Sequence, residues 1–384
     1  MEAITLGKSM RDSKTRHKAG RSRELPGPCA RRRGKAGNFA WRHAATVLQV
    51  VFALGIGAAA LPAFAACGVG GPNPVTGSQT FTGNCNLTGP IYIDGPGGVL
   101  TNTFSIGETN SINIYGGATP SGNGGSLVNN GSLSLSNSAA LNIYGGTGGG
   151  NNASLTNAGS IANAGAINNA GFFDNTSTGS VTGAGTYSQT AGTTQIDGSL
   201  NQGFVNISGG LLNGTGTVGS PNTILVGQGA TIAPGSASLP GTLTMAGNVS
   251  LGGQLSILLN SATSFSNLSV TGLLALGSSA QTQFMLGFMP TSAQYTFEFV
   301  ETGGAIAGFN PNAFSIVGDV GGYSAKLADV CSGAGACSLE LTLNENGITS
   351  PIPEPSTYAM LLSGLGLLGF VLRRNKDSAS ALAV

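Results

Sequence analysis

Charge is scarce in this chain. Only 8 % of its 384 residues are Asp, Glu, Lys or Arg, against about 25 % in an ordinary globular domain. The basic residues crowd at the ends: twelve of sixteen precede Ala44 and three follow Leu372. Between Ala66 and Ile352 the only basic side chain is Lys326, and histidine is missing there, because His17 and His43 both belong to the first segment. Each absence closes a class of function. Without Lys and Arg to neutralise phosphates, nucleic acid is not a partner. Without His, Ser-His-Asp and Cys-His catalysis are closed. The cysteine spacing suits no zinc pattern, and aspartates at alternating loop positions, as calcium requires, are missing. No catalytic residue, cofactor or metal ligand is therefore assigned. The interior carries about ten carboxylates against one lysine, which makes for an acidic, self-repelling surface.

Both ends read as addresses. Residues 1–43 are strongly basic, residues 44–61 are apolar apart from Gln49, and Pro62-Ala63-Phe64-Ala65 follows. Small residues at Ala63 and Ala65 fit cleavage after Ala65, so residues 1–65 read as a secretory signal peptide with a long basic leader. At the other end, Pro353-Glu354-Pro355 precedes an apolar run over 358–372, then Arg373-Arg374. The prolines keep that segment out of any helix or sheet interior and open to a protease. The run spans roughly 22 Å as a helix at about 1.5 Å per residue, a short transmembrane helix. The arginines mark its cytoplasmic side. This tail resembles the PEP-CTERM sorting signal. The resemblance implies an exported protein, an inner-membrane-anchored precursor and processing by exosortase, with Pro353, Glu354, Pro355, Arg373 and Arg374 as the motif residues. Ile352 stands where the family usually has Val. The signal belongs to Gram-negative bacteria that make exopolysaccharide, which implies a biofilm setting.

What fills the middle is Gly, Asn, Ser and Thr with aliphatics in register. Ile112-Asn113-Ile114-Tyr115-Gly116-Gly117 returns as Leu141-Asn142-Ile143-Tyr144-Gly145-Gly146. Leu155, Ile161, Ile167 and Phe173 then lie six apart, with Asn157, Asn163 and Asn169 two residues after the first three. Short strands with Gly/Asn turns at a fixed period predict a β-solenoid. Aliphatics would form inward columns, Ser, Thr and Asn would point out, Gly and Asn would supply positive φ at corners, and asparagines at equivalent corners would stack. From Leu212-Asn213-Gly214-Thr215-Gly216-Thr217-Val218 to Gly247-Asn248-Val249-Ser250-Leu251, and on to about residue 317, the pattern is similar to autotransporter passenger repeats. That resemblance implies a right-handed parallel β-helix, although the chain ends in the sorting tail where an autotransporter has its barrel.

The expected order is signal peptide 1–65, N-terminal cap 66–110, solenoid repeats 111–260, C-terminal β segment or cap 261–343, linker 344–357, transmembrane helix 358–372 and basic cytoplasmic tail 373–384. Cys67, Cys85, Cys331 and Cys337 read as disulfide cysteines of an exported chain. The scattered Asp94, Glu108, Asp174 and Asp197, and the solvated pair Glu298 and Glu301, give no glycosidase dyad. The reading is a non-catalytic cell-surface or extracellular matrix protein. Its partners would be the secretion machinery, exosortase and exopolysaccharide. The alternative is a polysaccharide-binding adhesin with Tyr115 and Tyr144 as glycan contacts, and a β-helix carbohydrate-active enzyme comes third.

Overall fold

The computed structural model describes residues 65–66, 73–81, 83–95, 97–119, 122–332 and 335–346. Every regular element among them is a strand, and the thirty strands form one continuous sheet. In the regular coils a strand pairs in parallel with the third strand further along the chain, not with its sequence neighbour. This is a parallel β-helix. Three strands and three corners make one coil, and the next coil lies on top in register.

The six-residue spacing is one side of that coil. Ser154–Asn157, Ser160–Asn163 and Ala166–Asn169 are three consecutive sides, and Phe172–Asn175 returns to stack on the first, with Leu155 opposite Phe173. Alternation along each strand turns the second and fourth residues inward. Leu155, Ile161, Ile167 and Phe173 are wholly buried, and so, against the expectation that asparagine points out, are the asparagines that close the strands, because the fourth residue of each strand faces inward. Fully burying one such aliphatic is worth about 1.5–3 kcal/mol, but only once a second coil covers it.

Those corner asparagines carry the turns. Asn102 donates Nδ2–H to Asn129 Oδ1, Asn129 to Asn157 and Asn157 to Asn175, each at 2.7 Å. Each Nδ2 also reaches the carbonyl of the serine that opens the following strand of the next coil, as Asn129 does to Ser160 at 3.1 Å. At the other corners Asn163 bonds Gln202 Oε1, and Asn169 bonds Thr194 Oγ1 beside the buried Tyr187 hydroxyl, which itself pairs with Thr194. Burial pushes the Tyr187 phenol well above its ordinary range. Gly183, Gly192 and Gly214 adopt the positive φ expected of corner glycines, but others are selected differently. Gly131 and Gly159 do not adopt positive φ. A Cβ on Gly159 would instead collide with the backbone oxygen of Gly131, one coil below. Close stacking selects glycine there.

The expected cap over 66–110 is instead part of the helix. Ser78–Thr80, Cys85–Leu87 and Ile91–Ile93 already form a coil and pair in parallel with the strands of the next one. Varied loops hide the repeat in the sequence, but Cys85, Leu87, Ile91 and Ile93 keep the inward pattern. Residues 267–317 likewise add parallel strands, up to Phe314–Val317 on Gln281–Leu286. The helix then closes with antiparallel strands. Tyr323–Cys331 and Cys337–Glu345 form a hairpin bonded by Cys331–Cys337, and its second strand pairs with Gln294–Thr302. An antiparallel cover of this kind removes an open ladder edge. Cys85 is disulfide-bonded as well, and Cys67 lies outside the described residues.

One buried carboxyl interrupts the aliphatic columns. Glu108 lies between Leu87 and Leu135 in its ladder and is 1 % exposed. Its Oε1 accepts from the Asn110 backbone at 2.6 Å and its Oε2 has no hydrogen-bond partner. Burial raises its pKa, against the lowering effect of the Asn110 and Thr109 backbone amides. A raised folded pKa means stability that is fully present below the ordinary carboxylate value and is lost as pH rises through the folded value. Glu108→Gln is therefore expected to be more stable than the parent at pH about 8, with the gap closing near pH about 4, measured by thermal melting. Asn157→Ala strands a donor on Asn129 and an acceptor on Asn175. It is expected to cost about 2 kcal/mol or more in chemical denaturation, whereas the exposed Asn168→Ala should stay within about 0.5 kcal/mol.

Candidate functional site

Tyr115 and Tyr144 each follow the last residue of a strand, Ile114 and Ile143, and those residues pair across adjacent coils. The rings therefore stack, with centroids 5.0 Å apart and planes 5° off parallel. Tyr92 extends the stack at 6.4 Å and 18°. All three are more than a third exposed. Tyr115 is sandwiched, so only Tyr92 and Tyr144 have a ring face not covered by another tyrosine. Burial against its neighbours raises the Tyr115 phenol, with Tyr144, Tyr92 and Asp94 adding to the shift.

Beside the stack runs an outward amide ladder. Asn142 Nδ2 donates to Asn113 Oδ1 and Asn168 Nδ2 to Asn142 Oδ1, both at 2.8 Å. The Tyr-Gly-Gly repeat has a local cause. A Cβ at Gly116 would meet the Gly145 backbone, and one at Gly150 would meet Gly117. The two loops that follow the tyrosines lie against each other, with Gly117 donating to Asn151 and Thr147 donating to Gly117. The result is a patch of phenol hydroxyls, ring edges and amides with Asp94 beside it, which is suited to a hydroxylated ligand.

Among the described residues the carboxylates fall into separate groups. Asp174 pairs in register with Gln195, and Asp197 stands two residues beyond. Burial and the Asp197 charge raise Asp174. Asp197 is engaged structurally: it accepts from Gln195 at 2.6 Å and from the Thr215 amide and hydroxyl at 3.0 Å each. Asp94 lies by the first tyrosines and Glu108 in the core. Glu298 and Glu301 line a groove of about 420 Å³ with Thr242, Thr244, Phe265 and Asn267, and Asn267 Nδ2 donates to the Glu298 carbonyl at 3.1 Å. Glu340 joins them, opposite Glu298 on the antiparallel strand. That third glutamate was not legible beforehand, because nothing local announces where the chain reverses. Asp329, Cys331 and Cys337 place three ligand-type atoms within 4.8 Å. Both sulfurs belong to the disulfide, however, and offer no thiolate to a metal.

Residues 351–375 match the family model of the PEP-CTERM protein-sorting motif. The chain carries that sorting motif. It marks an exported, exosortase-processed protein with a membrane-anchored precursor. No curated protein matches the chain. Pro353, Glu354, Pro355, Arg373 and Arg374 all fall within the matched segment. They lie outside the described residues, as do the expected transmembrane helix at 358–372 and Ala63. Among the described residues no helix is long and apolar enough to cross a membrane. Ala65 and Ala66 form a two-residue strand paired with Cys85 and Asn86, so the expected signal cleavage falls between two ladder residues.

Replacing Pro353, Glu354 and Pro355 together by alanine is expected to leave the chain uncut. Mass spectrometry of the envelope fraction should then find Arg373-Arg374 on the product, whereas the parent chain should lack them.

Proposed function

We propose that this protein is a non-catalytic structural component of the cell surface or extracellular matrix, exported and processed through its sorting tail and associated with exopolysaccharide. The observation that carries this reading is a column of hydroxyls on one outer face. Ser105, Ser132, Ser160, Ser180, Ser199, Thr217, Thr244 and Ser269 occupy one register position through successive coils. Successive strands in a sheet lie about 4.8 Å apart, so the face presents hydroxyls at a short, constant interval. It carries no cation and invites hydrogen bonds from a neutral, repeating, hydroxyl-rich polymer. The sequence supplies shape and a wettable surface in place of a reaction centre. With no histidine and one lysine between Ala66 and Ile352, general acid–base work would fall to carboxylates, tyrosines or Lys326.

A second reading, a polysaccharide-binding adhesin, draws on the Tyr92–Tyr115–Tyr144 stack and the adjoining amide ladder. Glycan binding by the processed protein separates the two. Discrete affinity for a defined oligosaccharide, lost in Tyr144→Ala, is the adhesin outcome. Retention only on polymeric exopolysaccharide, unaffected by Tyr144→Ala, is the matrix outcome. Release of reducing ends or unsaturated sugars from the polymer would overturn both in favour of an enzyme.

A further inference from the structure

The antiparallel cap holds two tyrosines in an arrangement the proposed function does not use. Tyr295 lies on the strand Gln294–Thr302 and Tyr323 opens the strand Tyr323–Cys331. The strand Cys337–Glu345 separates them, with Tyr295 opposite Leu343 and Tyr323 opposite Glu345. Both phenol oxygens nevertheless end at one residue. Tyr295 Oη accepts from the Thr291 amide at 2.9 Å and from the Ser292 amide at 3.1 Å. Tyr323 Oη donates to the Ser292 carbonyl at 2.7 Å. The ring centroids are 6.2 Å apart with planes inclined at 59°. The ring carbons next to the two hydroxyls are therefore held at the same end of the pair. Phe288 packs edge-on to Tyr295 at 5.4 Å and Phe297 stacks on it at 6.1 Å.

The geometry points to Tyr295 and Tyr323 as an oxidative cross-linking site that forms an intramolecular dityrosine when a peroxide and a haem peroxidase are supplied. Each phenol loses one electron and one proton. The two radicals couple through the ring carbons ortho to the hydroxyls, and each ortho hydrogen then moves as a proton to its own ring's oxygen, which restores aromaticity and both hydroxyls. One carbon–carbon bond forms, two hydrogens leave in total, and one peroxide is reduced to two waters. Tyr295 is primed for this. Hydrogen bonds from the Ser292 side chain, then from the Thr291 backbone, lower its phenol to about 8, and the phenolate gives up an electron more readily than the phenol. Its partner Tyr323 is shifted upward, by burial and then by the neighbouring Glu345 and Tyr295, so Tyr295 is the phenol of the pair that ionises first. The bond would fasten the open end of a hairpin whose closed end already carries Cys331–Cys337.

The test treats the processed protein with hydrogen peroxide and a haem peroxidase. Dityrosine fluorescence follows the yield, and proteolysis with mass spectrometry identifies the linked peptides. The expected product is a monomer in which Tyr295 is joined to Tyr323, with yield rising as pH passes through about 8. Tyr295→Phe and Tyr323→Phe should each lose that link while keeping the β-sheet circular-dichroism spectrum of the parent, and Tyr115→Phe should retain it. A dominant Tyr115–Tyr144 link, intermolecular links only, or a pH midpoint near the ordinary tyrosine value of 10 would overturn the proposal. If a Phe variant at 295 or 323 unfolds, the peptide assignment in the parent protein decides alone.

Discussion

A coil such as the one from Leu155 to Asn169 turns three aliphatics and three asparagines inward, and the only thing it can bury them against is another coil. In-register stacking is thus the constraint from which the rest follows. It forces the parallel ladder, it lines up identical side chains at equivalent positions, and it makes one coil without neighbours unstable. The buried amides sharpen the register. A slip by one residue would turn every aliphatic outward and would separate Asn102, Asn129, Asn157 and Asn175 from one another. Apolar burial supplies the driving force, and the amide ladder supplies uniqueness.

Much of this could be read in the chain because both signals are periodic. Leu155, Ile161, Ile167 and Phe173 announced the side of the coil, and the paired Asn residues announced the corner. What could not be read has physical causes. Residues 78–93 fold as a coil although their sequence shows no repeat, since stacking demands only the inward pattern and leaves loop length free. The buried Glu108 looked like a surface acid, because nothing nearby in sequence shows that its strand position faces the core. The approach of Glu340 to Glu298, and of Tyr323 to Tyr295, depends on the chain reversing after residue 317, and no local residue states where the returning strand will lie. Glycine was read correctly as a corner residue but for the wrong reason at Gly131 and Gly159, where crowding between coils, not backbone angle, excludes a side chain.

Function divides along the same lines. The C-terminal sorting motif specifies export and processing, in a few residues whose meaning does not depend on the helix before them. The helix offers surfaces: a hydroxyl column on one face, and on another a tyrosine stack with amides beside it. Repetition produces both, because any outward side chain that suits one coil is multiplied along the axis. A weak single contact thereby becomes many equal ones.

The last described strand, Cys337–Glu345, lies between two antiparallel partners along most of its length, and the sorting segment begins a few residues after it. A tether attached there pulls along the strand axis, while the hydrogen bonds of an antiparallel ladder run across it. Both flanking ladders are then loaded in shear, so their bonds resist together and do not open one by one. Tension applied along this strand from its C-terminal end would be borne by the terminal hairpin before any coil is peeled from the stack.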